Sequence, residues 1–159
     1  PEYVDTVVRC YRRALDAHAA GALTPTLKET LVADLRKVYN RTFSDGFYFG
    51  RPIAEFCTGR NNQATHRKEG VGKVFNYYKQ AGVAEIEVTS NTFAVGDELM
   101  IQGPTTGVVI SRVAEIRCGE ELVPRALRGR VTVKVTQRVR AGDSVYLRVL
   151  RQGRRAGEE

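Results

Sequence analysis

Phe93-Ala94-Val95-Gly96-Asp97-Glu98-Leu99 recurs later in the chain as Val139-Arg140-Ala141-Gly142-Asp143-Ser144-Val145. In each copy an apolar residue leads into a Gly-Asp turn, and a new strand follows. Gly permits the left-handed backbone of a tight strand-to-strand turn, and Asp can hydrogen-bond the backbone beside it. An alternating apolar strand precedes each copy. A doubled strand–turn–strand unit predicts a small closed barrel, an architecture that removes exposed strand edges. Barrels of this kind mostly bind rather than catalyse.

Outward from these turns, period two dominates from Val71 onward. Candidate strands are residues 71–78, 83–89, 97–102, 107–117, 130–136 and 144–150. Ala84, Ile86 and Val88 point one way, with Glu85, Glu87 and Thr89 the other. Val131, Val133 and Val135 oppose Thr132, Lys134 and Thr136, and Val145, Leu147 and Val149 oppose Tyr146 and Arg148. One wet and one dry face is what an antiparallel barrel requires.

Period 3.6 replaces period two at the other end. Val4, Val7, Val8, Tyr11 and Leu15 share one helical face, which predicts a buried stripe. Gly21 is a plausible stop. Leu27, Leu31, Leu35 and Val38 form a second stripe. Its start is either a Thr26-x-x-Glu29 capping box or Pro25 in the first helical position after Thr24. The expected fold is therefore α+β and mainly β: a helical pair followed by a six-stranded antiparallel β-barrel. Its expected parts are a helical region (1–42), an aromatic-rich connector (43–70), the barrel (71–151) and a disordered tail (152–159). Within the connector, Phe47, Tyr48 and Phe49 are consecutive and cannot all face one core. They are candidates for docking against the helices, a partner domain or a ligand.

Composition narrows the function. The 159 residues are 42% apolar, as in a globular protein. No apolar run approaches the ~18 residues that span a bilayer, so no membrane partner is expected. The basic, amphipathic first segment is not a signal peptide. A start at Pro1 and a single methionine, Met100, read as an excised piece of a longer protein. Cys10, Cys57 and Cys118 are odd in number and widely spaced. They read as reduced thiols of a cytoplasmic protein, with no metal site and no cofactor in this chain. His18 and His66 stand in no catalytic motif, and a Cys57–His66 pair lacks the surroundings a nucleophile needs. No catalytic residue is expected.

Charge is uneven. Residues 81–121 hold Arg112 and Arg117 against seven acids, whereas 122–159 hold ten basic residues against three. A basic face for a polyanion follows. Candidate RNA-binding residues are Lys73, Arg125, Arg128, Arg130, Lys134, Arg138, Arg140 and Arg148, because cations meet phosphate and arginine does so bidentately. Tyr77 and Tyr78 are candidates for stacking on an unpaired base, or else line a junction between helices and barrel.

The residues also resemble a known family. Residues 7–16 look like the last helical region of the peptidase U-32 family, and Asp45-Gly46-Phe47-Tyr48-Phe49-Gly50 is similar to its Thr-Gly-Phe-Tyr-Phe-Gly segment. Val71-Gly72-Lys73-Val74 and Val95-Gly96-Asp97-Glu98-Leu99 resemble its C-terminal domain, itself similar to domain two of elongation factor Tu and other translation proteins. The family is named for collagenase-like peptidases, and its better-understood members hydroxylate tRNA or rRNA. The resemblance implies a non-catalytic C-terminal accessory domain that helps bind tRNA or rRNA. The catalytic domain, with its iron–sulfur cluster, is expected upstream of this piece. Cys10, Cys57 and Cys118 match none of the cluster cysteines. The alternative is a docking and stabilising domain of a collagenase-like peptidase, with no RNA contact.

Overall fold

The computed structural model describes residues 2–38, 40, 43, 48 and 64–151. They fall into two compact units, one formed by 67–150 and the other by the described parts of 2–66 together with Arg151.

The second of these holds the two expected helices, α1 (Glu2–Ala19) and α2 (Pro25–Arg36). Of the two possible starts for α2, the chain uses Thr24 as N-cap. Its Oγ1 accepts from Leu27 N at 3.2 Å, and Pro25 opens the helix where no N–H is needed. Leu31 and Val38 are buried, as their stripe predicts. The stripe on α1 is a correction. Val4, Val8, Tyr11 and Leu15 are 60–63% exposed, and Tyr3 beside them is also exposed. Cys10 is the buried residue of α1. It lies about 120° around the helix from that stripe, at about 100° per residue. On that side of α1, Arg13 reaches Asp34 of α2 at 3.6 Å. Periodicity identified an apolar face, but α1 does not use it against α2.

The unit formed by 67–150 is built from antiparallel strands. They are β1 (His66–Tyr78), β2 (Val83–Val88), β3 (Phe93–Ala94), β4 (Glu98–Gly103), β5 (Gly107–Arg112), β6 (Ile116–Cys118), β7 (Glu121–Leu122), β8 (Arg125–Ala126), β9 (Gly129–Lys134) and β10 (Ser144–Leu150). Eight of them form one sheet in the order β5-β4-β10-β1-β2-β9-β6-β7, and β3 pairs with β8. β1 already begins at His66, so 66–70 of the expected connector are strand.

The two Gly-Asp turns repeat atom for atom. Asp97 Oδ2 accepts from Ala94 N at 2.8 Å, and Asp143 Oδ2 accepts from Arg140 N at 2.8 Å. Gly96 and Gly142 take φ of 95° and 87°, the left-handed region the turn demands. Each turn launches a strand, β4 and β10, and these pair antiparallel with Leu99 opposite Leu147 and Ile101 opposite Val145. The duplicated turns thus sit at opposite ends of one strand pair. Both are clamped in the same way, the second by Val74, whose N donates to Asp143 O while Gly142 N donates to Val74 O, both at 2.8 Å, and the first by Val113. Asp143 is buried, its carboxylate lying against Gly103, whereas Asp97 is half-buried.

The sheet curves around one core without closing. Val74, Ile86, Ile101, Val133, Val145 and Phe93 belong to a single cluster, and so do Val109 of β5 and Ile116 of β6 from opposite ends of the strand order. The expected closed six-stranded barrel is therefore replaced by an open eight-stranded sheet. The reason lies between Arg112 and Ile116. One strand was expected there, but Val113 leaves the ladder and exchanges hydrogen bonds with the first turn, donating to Asp97 O at 2.9 Å and accepting from Gly96 N at 2.8 Å. Ile116 then pairs with Val133 of β9. The chain, not a ladder, connects the two ends. β4 departs from the wet-and-dry rule as well: Met100 is fully buried although Leu99 and Ile101 hold the core side.

Candidate nucleic-acid interface

The outer surface of β1, β2 and β9 is built from three cross-strand rows. Lys73 of β1 lies opposite Glu87 of β2, which lies opposite Arg130 of β9. Next come Asn76, Glu85 and Thr132, the last opposite Arg117 of β6. Then come Tyr78, Val83 and Lys134. The intervening rows, Val74–Ile86–Val131 and Tyr77–Ala84–Val133, face the core.

A β-bulge decides which aromatic faces where. Register shifts between Val74 and Asn76, so Phe75 is an extra residue without a partner on β2. Without it, strict alternation after inward-facing Val74 would turn Tyr77 outward and Tyr78 inward. With it, Tyr77 packs on the core, while Tyr78 and Phe75 stand outside, 47% and 45% exposed. Bulges characteristically re-aim side chains in this way. The Arg130 guanidinium lies 3.5 Å from the centre of the Phe75 ring, within cation–π range. The Tyr78 hydroxyl donates to Glu85 Oε2 at 3.0 Å, which holds its ring against the sheet surface. The rows bring four cations (Lys73, Arg117, Arg130, Lys134) against two carboxylates (Glu85, Glu87).

The remaining sequence candidates lie elsewhere. Arg125 sits on β8 opposite Ala94. Arg128 and Arg138 are exposed in loops on either side of β9. Arg140 precedes the second turn and donates to Thr106 Oγ1 at 3.1 Å. Arg148, with 8% of its side chain exposed, pairs with Glu98 at 2.8 Å, so its charge is already met. Tyr48 is 85% exposed, while Phe47 and Phe49 lie outside the described residues, as do Cys57 and the expected tail 152–159. Sequence reading passed over Phe75. The signal was the pair Val74-Phe75, two adjacent apolar residues that one strand face cannot both accommodate.

Among the described residues, no three His, Cys, Asp or Glu side chains gather as a metal site. Neither Cys10 nor Cys118 belongs to such a group. Burial raises the Cys10 thiol above its usual pKa, with Asp34 adding to the effect. No helix among the described residues is long and apolar enough to cross a membrane.

Residues 1–58 match the model of Peptidase family U32. A "Collagenase" of Porphyromonas gingivalis is 40% identical over 147 residues, covering 92% of this chain and 36% of that protein. The first 58 residues of this chain belong to peptidase family U32. A second U32-like relative, an uncharacterized protease of Methanocaldococcus jannaschii, is 38% identical over 151 residues, with 92% of this chain and 36% of that protein covered. The tRNA hydroxylation protein P1 of Bacillus subtilis is 31% identical over 103 residues, 64% of this chain and 24% of that protein. The chain thus spans about a third of the length of the Porphyromonas gingivalis and Methanocaldococcus jannaschii relatives. A solved C-terminal domain of a Geobacillus thermoleovorans putative U32 peptidase aligns with a TM-score of 0.47 at 22% identity, over 50% of this chain and 91% of that one.

Proposed function

We propose that this chain is the non-catalytic C-terminal accessory region of a U32 protein and helps hold tRNA or rRNA for base hydroxylation. The hydroxylation itself belongs, on this reading, to a catalytic region outside the chain, and an RNA partner implies a cytoplasmic location. One observation carries the reading: Lys73, Arg130 and Lys134 share a single exposed sheet face with Tyr78. Cations on such a face attract phosphate, and an exposed ring accepts a base. The name of the Bacillus subtilis relative supports it from a separate direction. The test is fluorescence anisotropy with transcribed tRNA between about 50 and 200 mM salt. Three phosphate contacts give a log–log salt slope of about −2 to −3. Neutralising Lys73, Arg130 and Lys134 together to alanine should abolish binding. Undetectable binding at low salt would end the reading, as would binding that survives this triple variant.

The α1 stripe supports a second reading. Val4, Val8, Tyr11 and Leu15 form an apolar helical face that water does not favour. Here the helices dock on another part of a collagenase-like protein and the basic face only solubilises. Val8→Asp would then weaken assembly of a full-length U32 protein, and neither form would bind RNA.

A further inference from the structure

We infer that Phe75, set out by the β-bulge and stacked by Arg130, is a seat for one unpaired base, so that this face selects single-stranded over double-stranded RNA. The inference rests on the RNA reading above and specifies what kind of RNA that face takes.

Three observations carry it. The bulge removes Phe75 from the β2 ladder and from the core, so its ring contributes little to the apolar cluster and stays nearly half in water. Arg130 lies on the ring, and a planar guanidinium on an aromatic extends the flat surface that a nucleobase can join. Cations flank the ring on two sides: Lys73 on its own strand, and Lys134 further along β9, about 13 Å from Arg130 at strand rise. A backbone can pass between them while one base turns in.

Charge separates the two forms of RNA. A duplex hides its bases and must be held mostly through phosphates. Here Glu85 and Glu87 stand among the four cations, so phosphate attraction is partly cancelled. Stacking then adds a share of affinity that only an unpaired strand can supply.

The experiment uses the whole 159-residue chain with a short unpaired RNA carrying 2-aminopurine and with the same sequence as a duplex. The expected result is tighter binding of the single strand, with 2-aminopurine emission quenched on binding. Phe75→Leu keeps apolar bulk and removes the ring. It should weaken single-strand binding by about 5- to 150-fold and abolish the quench, with duplex binding nearly unchanged. Phe75→Trp should retain both. Circular dichroism melts confirm that each variant folds. If RNA binds but Phe75→Leu changes neither affinity nor quench, the seat is wrong and the broader RNA reading stands. Equal affinity for both forms likewise overturns the seat. If neither RNA binds at low salt, both fail together.

Discussion

Removing the two turn aspartates separately should cost very different amounts, although their hydrogen bonds match to within 0.1 Å. A hydrogen bond to a charged acceptor contributes about 1.5–3 kcal/mol, and a buried donor left alone loses its solvation too. Both turns are clamped alike, but Asp143 is buried, so Asp143→Ala leaves Arg140 N without a ready replacement. A cost of about 3 kcal/mol follows. Asp97 is half-buried, so water can take over part of its role, and Asp97→Ala should cost about 1 kcal/mol. For a unit of this size, each kcal/mol moves Tm by about 4–8 °C. The melts should therefore fall by at least about 12 °C and by about 4–8 °C respectively. Gly103 supplies the internal control. A Cβ there would overlap Asp143 Oδ1 and push the carboxylate off its donor. Gly103→Ala should cost about 1–3 kcal/mol alone and much less once Asp143 is alanine. Urea unfolding of the four variants by far-UV circular dichroism measures the cycle. Equal costs for the two aspartates would refute the reasoning, as would strict additivity of Gly103→Ala with Asp143→Ala.

Other consequences follow from the same structure. A Cβ at Gly72 would overlap the Glu87 carbonyl oxygen, which β2 holds in its ladders, so Gly72→Ala should lose about 3 kcal/mol or more in a urea titration. Tyr11→Ser on the exposed α1 face should change stability by less than about 0.5 kcal/mol, whereas Leu31→Ala on α2 should cost about 2–5 kcal/mol; paired melts decide it. Iodoacetamide should label exposed Cys118 well before buried Cys10. The raised Cys10 pKa leaves less thiolate at a given pH, so its labelling should catch up only as pH rises further, as peptide mass mapping will show.

What the sequence revealed depended on how far each local pattern extended. The Gly-Asp turns were fully legible, because a left-handed Gly followed by a capping Asp has few other uses. Ala84, Ile86, Val88, Val131 and Val133 alternate over whole strands, and all are buried as that pattern requires. β3, β7 and β8 have two residues each, too few for any period. The bulge at Phe75 was invisible because one inserted residue reverses the facing of everything after it. That reversal put Tyr77 inside and left Tyr78 out. On α1 the period was read correctly, yet the wheel tells only that a face is apolar, not what covers it. Arg148 looked like a phosphate ligand until pairing placed Glu98 opposite it.

Mapping RNA contacts by ultraviolet cross-linking and mass spectrometry tests the central claim most directly. The account predicts adducts on the peptides that carry Phe75 and Tyr78 of β1 and Arg130 of β9. Adducts confined to the helices, or to the loops bearing Arg125, Arg128 and Arg138, would contradict it.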